Sequence, residues 1–223
     1  MPGALEPLGT GFLPLISAVA EGFGTVLDEQ AAARVVTWFD LIATWNAKID
    51  LTAAKTPEKL ADLMLADAFV LARHEPRGKN LVDVGSGAGA PGLAVHIARP
   101  DLTVTLVEPL QKRVSFLRTV AGQLAERGGR ERGGPGALRI VRARGEDLAS
   151  SDSTFDTSLA RATLPPERWL GLGTRLVARD GAVWVFLARE SPPELPGWEV
   201  RVDERYQWPL TRVERRALRY ERS

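Results

Sequence analysis

The stretch "LVDVGSGAGAPGLAV", residues 81–95, decides the fold, because it places several glycines directly after an apolar run. The apolar start is typical of a buried strand. Gly85, Gly87 and Gly89 then permit positive φ angles and let the backbone approach a ligand closely. Pro91 suits the first position of a following helix. The stretch therefore predicts a strand, a ligand-binding turn and a helix.

Beyond residue 80, strands alternate with helices. The predicted strands are NLVDV, TVTLVE, LRIVRAR, FDTSLAR and AVWVFLA, and the predicted helices between them are PGLAVHIA, LQKRVSFLRTVAGQLAE and RWLGLGTRLV. RGGRERGGPG, residues 127–136, is expected to be a loop. Two alternating stretches near the end, WEVRVDERYQW and ERRALRYE, are expected to pair as an antiparallel edge. This order predicts an α/β fold with a doubly wound, mostly parallel, seven-stranded Rossmann-like sheet.

The residues before this pattern are predicted to be helical. Asp28 is a plausible cap for a helix that contains Trp38 and Trp45, whose helical spacing favours core packing over a base-stacking role. Thr56 and Pro57 give a second helix start. The sequence thus predicts an N-terminal helical extension, residues 1–76, packed on a domain of residues 77–223.

Composition excludes several classes of site. The 223 residues carry a formal net charge of +1, no cysteine and two histidines, so disulfides and thiolate metal sites are absent and a metal centre is not expected. No apolar stretch approaches the roughly 18 residues of a membrane span, and no basic residue precedes the N-terminal apolar stretch as in a signal peptide. We therefore expect a cytoplasmic protein without membrane contact, acting as a monomer.

Two cofactor classes compete for the glycine turn. Gly87, Gly89 and Gly92 match the dinucleotide pattern GxGxxG, with Glu108 available for a ribose. Asp83, however, brings a carboxylate that would oppose a pyrophosphate at the helix N-terminus, and it suits a ligand with an amine and a sulfonium. The pattern VDVGSGAG resembles the first motif of class I S-adenosylmethionine-dependent methyltransferases. That resemblance implies that Glu108 binds both ribose hydroxyls and that the segment at Gly145 and Glu146 borders the adenine.

The reaction type is narrowed by what the sequence lacks. A cysteine nucleophile for carbon methylation of pyrimidines is absent. The Asn/Asp-Pro-Pro-aromatic tetrapeptide typical of exocyclic amine methylation is absent too, the nearest run being residues 164–167, LPPE. A ring nitrogen with an exposed lone pair remains as the acceptor. Such chemistry needs alignment of the reactants and no general base.

More of the chain carries a family resemblance. WNAKIDLTA, VDVGSGAGAPGL, EPLQKRVSFLR, ARGEDL and ERRALRY occur in the order seen in bacterial 16S rRNA guanine-N7 methyltransferases, the glucose-inhibited division protein B family, which this chain resembles from about residue 30 onwards. The resemblance implies methyl transfer from S-adenosylmethionine to N7 of one guanine, with 16S rRNA or the small ribosomal subunit as partner.

The resemblance also assigns candidate residues. With the motif residues above, the expected cofactor contacts are Asp83, Gly85, Gly87, Gly89, Ala90, Glu108, Gly145, Glu146 and Arg161. The expected substrate contacts are Asp67, Lys112, Arg113, Arg189 and Arg215. Arg161 would orient the cofactor carboxylate or a substrate phosphate, or else form a surface ion pair. Lys112 and Arg113 would contact RNA or simply be solvated.

The sequence also departs from the family pattern on the substrate side. Leu63 and Met64 stand where the family carries an arginine-histidine pair. Arg189 stands where the family carries a lysine after the fifth strand. Arginines cluster at Arg127, Arg130, Arg132, Arg139, Arg142 and Arg144, and again at Arg212, Arg215, Arg216, Arg219 and Arg222. This pattern favours RNA binding, or it simply reflects a GC-rich genome in which arginine codons are frequent. Two alternatives therefore stay open: a methyltransferase with another acceptor, and a non-catalytic RNA-binding protein.

Overall fold

A seven-stranded sheet organises the part of the chain that the computed structural model describes, residues 5–76, 79–126, 136–149 and 154–223. Arg127, Arg130 and Arg132, and the predicted loop up to residue 135, lie outside these ranges. The strands are β1 (Asn80–Val84), β2 (Thr103–Val107), β3 (Leu138–Val141), β4 (Phe155–Ala160), β5 (Val177–Leu187), β6 (Trp198–Gln207) and β7 (Glu214–Arg222). Their order across the sheet is β3-β2-β1-β4-β5-β7-β6.

The strand directions confirm the doubly wound prediction. β3, β2, β1, β4 and β5 are parallel neighbours, whereas β7 runs antiparallel to both β5 and β6. The strand order reverses between β1 and β4, so the crevice at the carboxyl ends of these two strands is the switch point at which such sheets bind ligands.

The helices are close to their predicted positions. They are α1 (Leu13–Gly22), which follows a 3-10 turn at Gly9–Phe12, α2 (Glu29–Asn46), α3 (Pro57–His74), α4 (Gly92–Ala98), α5 (Gln111–Glu126), α6 (Gly145–Leu148) and α7 (Pro166–Gly173). Asp28 caps α2 by accepting a hydrogen bond from the amide of Ala31 at 2.7 Å. Thr56 caps α3 through the amide of Lys59 at 3.3 Å.

Several predicted boundaries shift by a few residues. β3 stops at Val141, three residues before the end of the predicted strand, because the one-turn helix α6 begins at Gly145. β5 begins at Val177, so it takes in the end of the segment predicted as a helix. Pro91 caps α4 from the position before its first residue, and Asp83 accepts the amide hydrogen of Gly92.

Apolar side chains cover both faces of the sheet. On one face the N-terminal helices α1, α2 and α3 share a continuous core with α4 and α5, and Trp38 and Phe39 in that core are fully buried. Trp45 packs edge-on against Phe116, with 5.7 Å between the ring centres. On the other face α7 packs through Trp169. The core packing predicted for both N-terminal tryptophans is thus observed, whereas the division at residue 76 stays a prediction.

Among the described residues, no helix is both long and apolar enough to cross a membrane. The same residues contain no cluster of three or more histidines and carboxylates arranged to hold a metal ion.

Candidate functional site

A cavity of about 650 Å³ opens at the carboxyl ends of β1, β2 and β4. It brings together most of the residues that the sequence singled out for a cofactor: Gly85, Gly87, Ala90, Glu108, Gly145, Glu146 and Arg161. The remainder of its lining comes from residues 51–53, 63–64, 109–110, 143–144 and 162–164, together with Val84, Ser86, Ala88, Arg113 and Leu172. One wall therefore belongs to the N-terminal helices and their loops.

The glycine turn has the backbone that its sequence predicts. Gly85, Gly87 and Gly89 have φ angles of 75°, 56° and 108°. A Cβ atom on Gly85 would lie 2.3 Å from the hydroxyl oxygen of Thr163, so glycine is required there for packing as well as for conformation. A Cβ atom on Gly89 would lie 3.1 Å from Leu93, and Gly89 is outside the cavity lining, so it shapes the turn without the predicted place in the site.

Asp83 lies beneath this turn and does not line the cavity. It is fully buried, and its Oδ2 accepts the amide hydrogen of Gly92 at 2.9 Å. Its Oδ1 has no hydrogen-bond partner among the described residues. Burial raises the pKa of Asp83 to about 7, against the lowering effects of the Gly92 amide and the Arg161 charge. The predicted direct contact with the cofactor is therefore replaced by a supporting role under the turn.

Glu108 sits where the sequence places it, at the end of β2 and in the cavity wall. The carboxylate is almost completely buried, and it accepts hydrogen bonds from the amides of Gly87 at 3.0 Å and Leu110 at 2.9 Å. Each carboxylate oxygen has two lone pairs, so both oxygens keep one for a further donor. A carboxylate fixed in this way beside a glycine turn fits the two ribose hydroxyls of an adenosyl group.

Arg161 joins the cavity to α3. Its Nη1 donates to the carbonyl of Leu63 and to Oδ2 of Asp67 at 3.2 Å. Oδ1 of Asp67 accepts from the hydroxyl of Tyr206 at 2.7 Å and from Nε1 of Trp208 at 3.4 Å. The pair is largely buried, with 17% of the Arg161 side chain and 3% of the Asp67 side chain exposed, so it is not the surface ion pair of the alternative interpretation.

Asp67 was predicted to contact substrate, and the structure corrects that prediction. Its carboxylate is outside the cavity lining and accepts from three donors, one at the end of β4 and two at the end of β6. Tyr206 has a pKa well above 10, first because it is buried and next because it faces the Asp67 carboxylate. Asp67 therefore holds Arg161, which does reach the cavity.

The two basic residues that open α5 have different positions. Arg113 lines the cavity and donates from Nη2 to the carbonyl of Asp50 at 2.8 Å. Lys112 is exposed and lies outside the cavity. Arg113 thus fixes the loop of residues 51–53, which Asn46 also holds by accepting the amide hydrogens of Leu51 and Thr52.

A second cavity, of about 580 Å³, lies beside the ends of β5, β6 and β7 and contains the predicted substrate residues Arg189 and Arg215. The guanidinium of Arg215 lies 4.4 Å from the ring centre of Trp208. Tyr206 lines this second cavity and bonds to Asp67, so the Asp67 carboxylate connects it to Arg161 in the first. The two cavities are therefore neighbours at the same edge of the sheet.

Sequence reasoning missed several residues of the site. Thr163 closes over Gly85, and its hydroxyl donates to the carbonyl of Val84 at 3.2 Å. Leu51, Thr52 and Ala53 form the wall from the N-terminal extension, and the only signal for them was the family motif WNAKIDLTA. Such contacts between distant segments leave no local pattern in the sequence.

Comparison with known proteins decides the family. The family profile described as rRNA small subunit methyltransferase G, GidB, matches residues 31–196. The chain belongs to this family. The ribosomal RNA small subunit methyltransferase G of Anaeromyxobacter dehalogenans strain 2CP-1 is 33% identical over 183 residues, 82% of this chain and 81% of that protein. The protein of the same name from Halorhodospira halophila is 37% identical over 170 residues, 76% of this chain and 75% of that protein.

Solved structures show the same fold. A methylase from Haemophilus influenzae aligns with a TM-score of 0.51 and 12% identity over 69% of this chain and 84% of its own. The 1,6-didemethyltoxoflavin-N1-methyltransferase of Burkholderia thailandensis, bound to S-adenosylhomocysteine, aligns with a TM-score of 0.50 and 14% identity over 70% of this chain and 76% of its own. These likenesses confirm the predicted Rossmann-like fold. Membership of the small subunit methyltransferase G family confirms the enzyme class and S-adenosylmethionine as the cofactor.

Proposed function

We propose that this protein transfers the methyl group of S-adenosylmethionine to N7 of a guanine in 16S ribosomal RNA. The observation that carries the proposal is the convergence of the glycine turn, Glu108 and Arg161 on one cavity at the switch point of the sheet. The names of the relatives support small-subunit ribosomal RNA as the acceptor. With this substrate we expect the protein to work in the cytoplasm, as a monomer.

The cofactor-binding roles follow the walls of the cavity. We assign the ribose hydroxyls to Glu108, and the close backbone approach to Gly85, Gly87 and Ala90. Gly145 and Glu146 begin α6 and line the cavity, and we assign them to the adenine. When bound, S-adenosylmethionine supplies an electrophilic methyl group on its sulfonium.

Arg161 is the group best placed to orient the reactants. Its Nη1 is occupied by α3, through Leu63 and Asp67, which fixes the guanidinium plane at the cavity wall. A guanidinium presents several donors in a rigid geometry, so one edge can be held by the protein while another binds a carboxylate or a phosphate. We assign Arg161 to the cofactor carboxylate or to a phosphate of the acceptor nucleotide.

An N7 acceptor fits a cavity that contributes positioning alone. N7 of guanine has an exposed lone pair and no proton, so its methylation needs no base. The enzyme has only to align N7 behind the methyl group, and such positioning supplies on the order of 7 to 11 kcal/mol of the barrier. Residues 161–164 and 51–53 both line the cavity, and we assign them to the guanine ring.

The second cavity suits the RNA backbone. Arg189, Arg205, Arg215 and Arg216 line it, and of these Arg216 is paired with Asp203 at 2.6 Å. Arginine binds phosphate through paired donors, and neutralised phosphates dominate affinity for RNA. We assign Arg189 and Arg215 to phosphates that flank the acceptor. Lys112 remains a candidate for more distant RNA contacts.

One structural feature favours a second candidate function. Leu63 and Met64 line the cavity with apolar surface where the family pattern has an arginine-histidine pair. This change on the acceptor side keeps open a methyltransferase that acts on another RNA site, a protein or a small molecule.

The acceptor is tested with labelled S-adenosylmethionine and small-subunit particles from a strain that lacks this activity. Intact particles, deproteinised RNA and the protein fraction are assayed separately. Label in the RNA, from either RNA-containing sample, is the expected result. Label only in the protein fraction, or no transfer while S-adenosylhomocysteine still binds, would favour the second candidate. RNA binding without cofactor binding or turnover would favour the non-catalytic alternative.

A further inference from the structure

The indole of Trp38 reaches from the N-terminal extension to the backbone of the glycine turn. Trp38 lies in the middle of α2 and is fully buried. Its Nε1 donates a hydrogen bond to the carbonyl oxygen of Ala88 at 2.8 Å, across 50 residues of sequence. Ala88 stands between Gly87 and Gly89 and lines the first cavity.

Several of the other hydrogen bonds described for this turn come from the sheet side. Gly85 and Ser86 donate to the carbonyl of Val107, and Gly87 donates to Glu108. These bonds fix the start of the turn, while Gly89 closes it locally on Ser86 at 2.6 Å. The Trp38 bond is thus the one that the N-terminal helices contribute to the turn, beside the bond that Leu93 of α4 donates to the Gly89 carbonyl at 2.6 Å.

Loss of this bond would leave the Ala88 carbonyl without its donor in an apolar core. A buried carbonyl without a partner is costly, so the backbone would rotate to find one. Three of the five residues between 85 and 89 are glycines with positive φ, and glycine backbones rotate easily. The atoms that face the cofactor would then lose their fixed positions.

We infer that Trp38 is a positioning residue for the cofactor loop. Its ring is held rigidly, with the Phe39 ring centre 5.6 Å away and Phe12 packed edge-on against Phe39 at 5.3 Å. The indole N–H has one hydrogen to donate and cannot accept a hydrogen bond, so the Ala88 carbonyl is its one partner. The N-terminal extension therefore acts on cofactor affinity and is more than a covering layer for the sheet.

Trp169 offers a matched control. It is also buried, and its Nε1 also donates to a main-chain carbonyl, that of Trp184 in β5, at 2.7 Å. Neither Trp169 nor Trp184 lines the first cavity. Trp38→Phe and Trp169→Phe therefore remove the same group from the same kind of bond, and only the first bond ends at the glycine turn.

The test is calorimetric titration of the full-length wild type and both variants with S-adenosylhomocysteine, alongside thermal unfolding. We expect both variants to lose stability, and Trp38→Phe alone to raise the Kd about five- to tenfold. With the acceptor assay in hand, its KM for S-adenosylmethionine should rise while kcat stays nearly unchanged. Equal weakening of binding by both variants, or wild-type affinity in Trp38→Phe, would reduce Trp38 to a core residue.

A second measurement decides the matter if Trp38→Phe does not fold. In wild-type protein with ¹⁵N-labelled, assigned indoles, the Trp38 Nε1–H signal should shift on addition of S-adenosylhomocysteine, while the Trp169 signal stays in place. Unchanged signals from both would contradict the inference. This inference rests on the cofactor part of the proposed function alone. No binding to the wild type would overturn that part, whereas a wrong acceptor would leave the titrations unaffected.

Discussion

Asp67 of α3 and Arg161 at the end of β4 form a largely buried ion pair that connects the N-terminal helices to the cofactor cavity. The same carboxylate accepts a hydrogen bond from the hydroxyl of Tyr206, which lines the second cavity. A single buried charge thus holds Arg161 of the first cavity and Tyr206 of the second.

Asp67→Asn should therefore be costly. Removing one partner of a buried pair typically lowers the free energy of unfolding by about 3 to 5 kcal/mol, and we expect the low end because Arg161 keeps some solvent access. Asp203→Asn breaks the exposed pair with Arg216, and it should cost less than about 1 kcal/mol. Urea unfolding of both variants checks this. Equal losses would show that the Asp67 pair contributes no more than a surface pair.

Asp83 predicts a specific pH dependence. Burial raises its pKa from the usual 3.8 to about 7. Between these values the folded protein holds a proton that the unfolded chain has lost, so the free energy of unfolding falls as pH rises towards 7. The Asp83→Asn variant has no carboxyl group at this position and therefore does not titrate there. The stability of the wild type relative to Asp83→Asn should fall by about 2 to 3 kcal/mol between pH 5 and 8. A constant difference across that range would mean that Asp83 has an ordinary pKa.

Alanine variants of three glycines distinguish the effect of backbone strain from that of a steric clash. Gly85→Ala combines a φ of 75° with a clash against Thr163, so we expect a loss of more than about 2 kcal/mol and weaker binding of S-adenosylhomocysteine. Gly24 has a φ of 63° with open space around it, so Gly24→Ala should cost about 1 kcal/mol with unchanged binding.

Gly122 completes the series. It lies in α5 with open space for a Cβ, and Gly122→Ala should stabilise the protein by about 0.5 to 1 kcal/mol. Thermal unfolding and calorimetric titration of the three variants provide the measurement. If Gly85→Ala matched Gly24→Ala in both assays, Thr163 would not pack on the turn as described.

The assignment of RNA to the second cavity is tested by two stacked arginines. Arg215 lies over Trp208 inside that cavity, and Arg222 lies over Trp198 outside it, 4.8 Å from the ring centre. Arg215→Ala should raise the KM for RNA several-fold and lower the salt dependence of binding by about one ion, since one phosphate contact is lost. Affinity for S-adenosylhomocysteine should not change. Arg222→Ala should leave the KM for RNA, the salt dependence and the affinity for S-adenosylhomocysteine unchanged. An equal effect of both variants would contradict the assignment of RNA to the second cavity.

Local patterns predicted the fold well. The alternation of strands and helices predicted the first five strands, and alternating apolar and polar residues predicted the last two. Asp28 and Thr56 marked the helix starts because capping depends on neighbouring residues. The glycine turn and Glu108 were predictable for the same reason, since both stand at strand ends. Boundaries near Gly145 and Pro91 shifted by one to three residues, where short turns compete with the strand or helix.

The rest of the site depends on contacts between distant segments. Asp67 was predicted to contact substrate, but Arg161, Tyr206 and Trp208 reach it from 94 to 141 residues away. Trp38 looked like core and is core, yet its N–H points at the turn. Helical spacing predicts which face is buried, and it does not predict which carbonyl a buried donor meets.

The central claim is that N7 of a guanine accepts the methyl group, and strand-scission chemistry selective for N7-methylguanine tests this most directly. Small-subunit RNA from a strain that lacks the activity is treated with this protein and S-adenosylmethionine, and the cleavage sites are mapped. The account predicts one enzyme-dependent cleavage at a single guanine, absent without cofactor and reduced with Arg161→Ala. Methyl transfer to the RNA without any such cleavage would contradict N7 as the acceptor.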